Sequence, residues 1–181
     1  MNIILNIDNL NPNQIFYQHP VKNTIMEHSN FIRLIYSTDY FILNNLLIEV
    51  VFNISSISRY FEKYIYNFES CKNREIIQKI LKLEETILSR IKLPNKKPIY
   101  RISNQLSSNN IKLYTTTNKT YATNVANATN VANATNVANV ANVENLANVA
   151  NATYILKISG IWETTYPKNE YGLTYKFIEV V

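Results

Sequence analysis

All ten alanines of this 181-residue chain lie in one low-complexity tract, between positions 122 and 152. Within the tract an Asn recurs at every third position from Asn124 to Asn151. A period of three matches neither the 3.6 residues of a helical turn nor the two-residue repeat of a strand, so no face collects the apolar side chains. The tract is therefore predicted to be an Asn/Ala/Val/Thr insert outside the packed core, and its deletion is expected to leave the fold intact.

The sequence outside the tract is more basic than the whole chain. Glu144 is the single charged residue inside the tract, so the rest carries 18 basic and 12 acidic side chains, a net charge of +6 against +5 overall. Gly160 and Gly172 are the only glycines, which excludes a glycine-rich phosphate loop or a dinucleotide-binding turn. The single cysteine excludes an internal disulfide and indicates a reducing compartment.

Strand patterns dominate on both sides of the tract. Residues 1–30 are polar and Asn-rich and are predicted to form an N-terminal arm with one short strand near 3–7, whereas 31–180 form a single β-rich domain interrupted by 122–152. β-branched and aromatic runs separated by turn residues predict strands at 31–36, 40–43, 46–52, 60–68, 99–103, 111–116, 154–164 and 171–180.

One amphipathic helix is predicted from Arg74 to Lys92, with Asn73 as its N-cap and Pro94 ending it. Its neighbouring acids, Glu84 and Glu85, are expected to be solvated charges. A small β protein buries such a helix economically against a barrel. The predicted fold class is mainly β with one central α-helix, an OB-like, partly closed antiparallel barrel, with a two-layer α+β sheet as the alternative.

No catalytic or metal-binding constellation is visible in the sequence. His19 and His28 lie nine residues apart in the arm without further ligands. The chain is therefore predicted to be a non-enzyme without cofactor or metal. The N-terminus lacks a basic segment followed by an apolar core, and no apolar run approaches the roughly 20 residues that span a bilayer. We expect a soluble, intracellular protein without membrane partners.

Aromatic residues, among them 13 Tyr and 7 Phe, are interleaved with basic residues on the predicted strands. Single-strand binders combine cations for the backbone with rings for base stacking. Strand alternation places Lys112 and Tyr114 on the side away from Ile111 and Leu113. In the last hairpin, the same alternation places Lys157 and Lys176 on the side away from the apolar residues. The predicted nucleic-acid-binding residues are Lys112, Tyr114, Lys157 and Lys176, with Arg33 as a weaker addition. Arg101 is included as well, although alternation leaves its orientation ambiguous.

One alternative remains open on the residues alone. The basic residues also fit the ordinary solvent-facing side of an antiparallel sheet. Trp162, the only Trp, is expected in the core because alternation groups it with Leu156 and Ile158.

The C-terminal block 154–164, followed by 170–177, resembles proteins of large nucleocytoplasmic DNA viruses. The layout also resembles the phage-type single-stranded DNA-binding proteins, which have early strands, a helix before the later strands, and a final hairpin. In that hairpin a Trp lies near the bend and a small residue opens the last strand, as Trp162 and Gly172 do here. One departure is the ending Glu179-Val180-Val181, where that family has an acidic tail.

The resemblance implies an oligonucleotide-binding fold and a role in protecting viral replication or recombination intermediates. We therefore expect sequence-nonspecific binding of single-stranded DNA, and the residues do not distinguish DNA from RNA. As partners we expect viral replication proteins and a second copy of the chain, and as location the host cytoplasm or a viral factory. The alternative is a non-enzymatic viral structural or protein-interaction module that keeps the barrel without its binding surface.

Overall fold

The computed structural model describes residues 3–61, 63–114, 149–165 and 167–180, so most of the predicted insert lies outside the described residues. The elements in this part of the chain are, in order, β1 (Leu5–Asn6), β2 (Ile15–Tyr17), β3 (Val21–Lys22), β4 (Ser29–Ser37), β5 (Ile42–Leu43), β6 (Leu46–Tyr60), β7 (Lys63–Phe68), α1 (Arg74–Arg90), β8 (Lys97–Ile99), α2 (Arg101–Ser107), β9 (Asn110–Tyr114), β10 (Val149–Thr164) and β11 (Glu170–Glu179).

Five of these strands close into a barrel. Strand β6 pairs with β7, β7 with β9, β9 with β11 and β11 with β10, and β10 returns to β6. The structure confirms the predicted fold class, a mainly β, OB-like barrel with a helix. It adds that the barrel is closed, that β9 and β11 run parallel, and that a second short helix is present.

The barrel interior follows from strand alternation. On β6 every second residue from Leu46 to Ile54 is buried, while the residues between them are exposed or half-buried. Phe52 and Phe68 stack inside the barrel with ring centroids 5.2 Å apart. Helix α1 contributes its own buried stripe, which consists of Ile80, Leu83, Ile87 and Leu88. Two tyrosines bind its last turn: Tyr171 Oη donates to the Leu88 carbonyl oxygen at 3.3 Å, and Tyr17 Oη to that of Ile87 at 2.8 Å.

Helix α2 replaces most of the strand predicted at 99–103. Ile102 and Leu106, four residues apart, share its buried face. The helix begins where Glu84 of α1 accepts three hydrogen bonds, from the backbone N–H groups of Ile102 at 3.0 Å and Ser103 at 2.7 Å and from Ser103 Oγ at 2.6 Å. Glu84 is 0% exposed, so the prediction of a solvated charge at this position is wrong.

Residues 3–30, predicted as a polar arm, pack on the domain in the structure. Ile15 is buried and β2 pairs with β4. The Arg90 guanidinium donates to the Pro12 carbonyl oxygen and, at 3.0 Å, to Asn13 Oδ1. Burial raises the pKa of Tyr17 to about 12, against an opposing effect of the nearby Arg90 charge. The few side chains that attach this segment to α1 and β4 are not apparent from its Asn-rich sequence.

Candidate functional site

Three lysines occupy neighbouring positions on adjacent barrel strands. Lys157 of β10 lies directly opposite Lys176 of β11. Strand β9 runs parallel to β11 with Leu113 beside Phe177, so the residues that precede them, Lys112 and Lys176, are also neighbours. The three side chains therefore form one row across β9, β11 and β10, which we call the lysine row. Strands lie about 4.8 Å apart, so its Cα atoms span roughly 10 Å.

The lysine row faces away from the barrel core. Leu156, Ile158, Leu113 and Phe177, which flank the lysines in sequence, are all buried inside the barrel. Lys112 and Lys176 are exposed and Lys157 is half-buried. Among the described residues, no ion pair is formed by any of the three ammonium groups. Like charges directly opposite one another destabilise a sheet, so the row does not contribute to the stability of the fold through its charges.

The immediate neighbours of the row along the barrel are apolar. Ile65 of β7 is paired with Lys112, and Leu47 of β6 is paired with Lys157. The nearest acid on the β6 side is Glu49, which is paired with Ile155, the next residue along β10 on the same face as Lys157. The positive charge of the row is therefore continuous from Lys112 to Lys157.

Arg33 lies on the same outer face, next to the row. It is exposed on β4 and opposite Gly160 of β10, which is in turn opposite Thr174 of β11. Thr174 is two residues from Lys176 and thus at the adjacent outward position on that strand. The structure brings Arg33, predicted as a weaker addition, beside the lysines.

Arg101 is not a strand residue, contrary to its predicted place in the run 99–103. It is the first residue of α2, and its guanidinium carbon lies 4.1 Å from the centroid of the Trp162 ring. A cation at this distance over an indole face is a favourable cation–π contact. Arg101 thus covers the Trp162 ring. It is not part of the lysine row.

Trp162 is buried, but it does not belong to the core cluster that contains Leu156 and Ile158. A register shift between Ile158 and Gly160 reverses the alternation of β10, so Ile161 takes the inward position. The prediction that Trp162 packs with Leu156 and Ile158 is therefore wrong, although its burial is confirmed. Its ring lies against Gly172, where an added Cβ would come within 2.8 Å of ring atom Cζ2.

Lys63 extends the outer face on the β7 side. The backbone of Tyr114 pairs with Lys63, but the Tyr114 side chain lies outside the described part of the chain. Lys63 is two residues from Ile65 and therefore on the outward side of β7. Lys63 is not among the predicted binding residues because the sequence predicts one continuous strand over 60–68, whereas the chain turns at Phe61.

A buried ion pair lies at the other end of β10. Lys96 Nζ donates to Glu163 Oε2 at 2.6 Å and to the Thr164 carbonyl oxygen at 3.0 Å, and Asn30 Nδ2 donates to Glu163 Oε1 at 3.0 Å. Burial opposes ionisation of Glu163, but the two hydrogen bonds and the Lys96 charge outweigh it and lower the pKa of this carboxyl. Because the Lys96 and Glu163 side chains are both engaged in these contacts, the ion pair joins β10 to β4 and to the segment before β8.

Searches for other chemistry in the described residues are negative. They contain no group of three or more His, Cys, Asp or Glu side chains that could hold a metal ion. Within the same ranges, no helix is both long and apolar enough to cross a membrane. Comparison of the chain with protein-family models, with characterised proteins and with solved structures finds no match. The basic outer face of the barrel is therefore the strongest candidate site.

Proposed function

We propose that this protein binds single-stranded DNA without sequence preference on the outer barrel face formed by the lysine row and Arg33. The lysine row is the observation that carries the proposal. Three neighbouring ammonium groups without partners among the described residues attract a chain of regularly spaced negative charges, and phosphate contacts of this kind need no base sequence.

Two further observations support this ligand. Lys112 lies on β9, the third barrel strand in chain order, and OB-type barrels bind oligonucleotides across their second and third strands; Lys157 and Lys176 lie on the fourth and fifth. The outer face also carries apolar and aromatic side chains next to the cations, including Phe31 beside Gly160. The proposal is of a non-enzymatic protein, and the role in viral replication or recombination rests on the resemblance of its final hairpin.

The test is a titration with fluorescein-labelled oligo-dT, read by anisotropy, at about 50 and 200 mM salt. Each phosphate contact to a single strand contributes about −0.7 to the slope of log K against log salt. Replacing Lys112, Lys157 and Lys176 together by Ala is expected to weaken binding strongly and to reduce the magnitude of that slope by about 2.

A control with the same charge change replaces three exposed lysines away from the row, Lys22, Lys82 and Lys92, by Ala. If binding follows only the net charge, the two triple variants will weaken it equally, and the proposed site is wrong. If the native protein fails to bind at low salt, single-strand binding itself is wrong. A parallel titration with oligo-U measures the preference for DNA over RNA.

A second function, a protein-interaction module, is favoured by a different surface. Phe16 of β2 and Val21 of β3 are 54% and 58% exposed and lie beside the outward residues of β4. Exposed apolar side chains in one place are typical of protein interfaces. Sedimentation of the native chain and of the Phe16→Asp variant tests this function. The native chain is expected to self-associate, and the substitution is expected to abolish that association.

A further inference from the structure

The hairpin between β6 and β7 ends in an exposed aromatic residue. The two strands pair as far as Tyr60 and Lys63, so only two residues connect them. Phe61, the first of these, is 79% exposed and has a φ of 53°. A bulky residue in the left-handed region is an outlier, because its Cβ lies too close to the following carbonyl oxygen.

This choice of residue is unusual within the chain itself. Two-residue hairpin turns favour Asn, Asp or Gly because their central residues need a positive φ. The chain contains 28 Asn, and at five further described non-glycine positions it adopts a positive φ with Asn or His. Those positions are His28, Asn95, Asn109, Asn151 and Asn169. At the tip of this hairpin a strained Phe replaces the residue that suits the turn, and most of its ring stays exposed.

Two cations and one acid lie within two residues of Phe61 in the sequence: Arg59, Lys63 and Glu62. Arg59 Nε donates to the Phe61 carbonyl oxygen at 3.3 Å, and the Arg59 guanidinium lies 5.8 Å from the centroid of the Tyr64 ring. Lys63 follows on the outward face of β7, and Ile65, two residues further, is paired with Lys112. The tip is therefore four residues, or about 13 Å along the strand, from the end of the lysine row.

We propose that Phe61 stacks on an unpaired base of the same strand whose phosphates contact the lysine row. This inference rests on the proposed function. It adds a contact to the bases of the DNA, whereas the lysines contact only its phosphates. Lys63 lies between Phe61 and the lysine row on the outward side of β7, so the Phe61 ring can stack on a base while phosphates of the same strand contact the row. Stacking on a π-face tolerates every base, so it adds affinity without sequence preference.

Phe61→Asn separates stacking from folding, because Asn suits the left-handed turn that Phe strains. We expect its melting temperature to equal or exceed that of the native protein, while its affinity for oligo-dT falls roughly 5- to 100-fold. The salt slope is expected to stay unchanged, since no phosphate contact is lost. Tyr40→Asn is the control: Tyr40 is 93% exposed between β4 and β5, outside the barrel, and is expected to leave affinity unchanged.

A second probe is an oligonucleotide of the same length in which abasic sites replace the thymidines. The native protein is expected to prefer the thymidine oligonucleotide, and Phe61→Asn to lose most of that preference. If the native protein binds with a normal salt slope but Phe61→Asn binds equally well, the stacking role is wrong while the proposed function stands. If the native protein binds neither probe, both are wrong, and a protein or membrane ligand for Phe61 would then replace them.

Discussion

Replacing Glu84 tests how the two helices are joined. This fully buried carboxylate on α1 accepts hydrogen bonds from two backbone N–H groups and one hydroxyl in the first turn of α2. The residue before α2, Tyr100, provides no side-chain cap, so Glu84 is the cap that the helix has. All three bonds need an acceptor. Glu84→Gln replaces one carboxylate oxygen by an NH₂ group, which faces either the Ile102 or the Ser103 N–H.

The expected cost follows from the groups left without partners. A buried N–H that loses its partner costs about 1–3 kcal/mol, and hydrogen bonds to a charged group contribute about 1.5–3 kcal/mol each, without simple additivity. We expect Glu84→Gln to lower the free energy of unfolding by about 2–3 kcal/mol. Glu84→Ala removes every acceptor and leaves a cavity, so about 3–5 kcal/mol is expected.

Urea unfolding followed by tryptophan fluorescence measures both variants, because Trp162 is buried and is the only Trp in the chain. In a protein of this size, a loss of 2–3 kcal/mol corresponds to a fall in melting temperature of about 4–12 °C. Glu85→Gln, on the exposed neighbouring position, is the matched control and is expected to stay within about 0.5 kcal/mol of the native value. Equal stabilities for Glu84→Gln and Glu85→Gln would refute the capping role.

Three other predictions concern β10. The lowered pKa of Glu163 means that its stabilising contribution is present above about pH 4.5 and is lost as pH falls through the folded-state pKa; unfolding at pH 7 and pH 3 should show a smaller acid loss in Glu163→Gln. Gly160→Ala should destabilise by about 2–4 kcal/mol in a thermal melt, since its Cβ would lie 2.4 Å from a backbone oxygen, while Ser159→Ala should change little. Deleting 122–152 should leave a protein about 1–2 kcal/mol less stable to urea than deleting 122–148, because the four extra residues begin the strand; equal stability would contradict their pairing with β6.

Local patterns accounted for much of the fold. The predicted helix from Arg74 to Lys92 agrees with α1, which ends at Arg90, because an apolar stripe and a following Pro94 mark it within the segment itself. The final hairpin was predictable for the same reason. The outward direction of Lys112, Lys157 and Lys176 also followed from alternation, because each is followed by a residue that the core buries.

Two of the misses share a cause: each depends on a contact made far away in sequence. Helix α2 is capped by Glu84, 18 residues before Ile102, and no local pattern announces that bond. Asn73 stands at the predicted N-cap position of α1, but its side chain bonds the backbone of Asn53 on β6 and makes no cap. Whether the lysines and Arg33 bind nucleic acid stays a prediction, since residue type and direction alone do not identify a ligand.

The shift in β10 between Ile158 and Gly160 links the barrel to the candidate site. Up to Ile158 the strand pairs with β6 and closes the barrel; from Gly160 it pairs with β4. The change of partner coincides with the reversal of alternation, so Gly160 faces outward and its missing side chain leaves room for the Phe31 ring. Because β4 joins the same surface at this point, Arg33 lies beside the lysine row. The same reversal turns Trp162 outward, where Arg101 must cover it. A one-residue irregularity therefore extends the basic face beyond the barrel and accounts for the separately buried tryptophan.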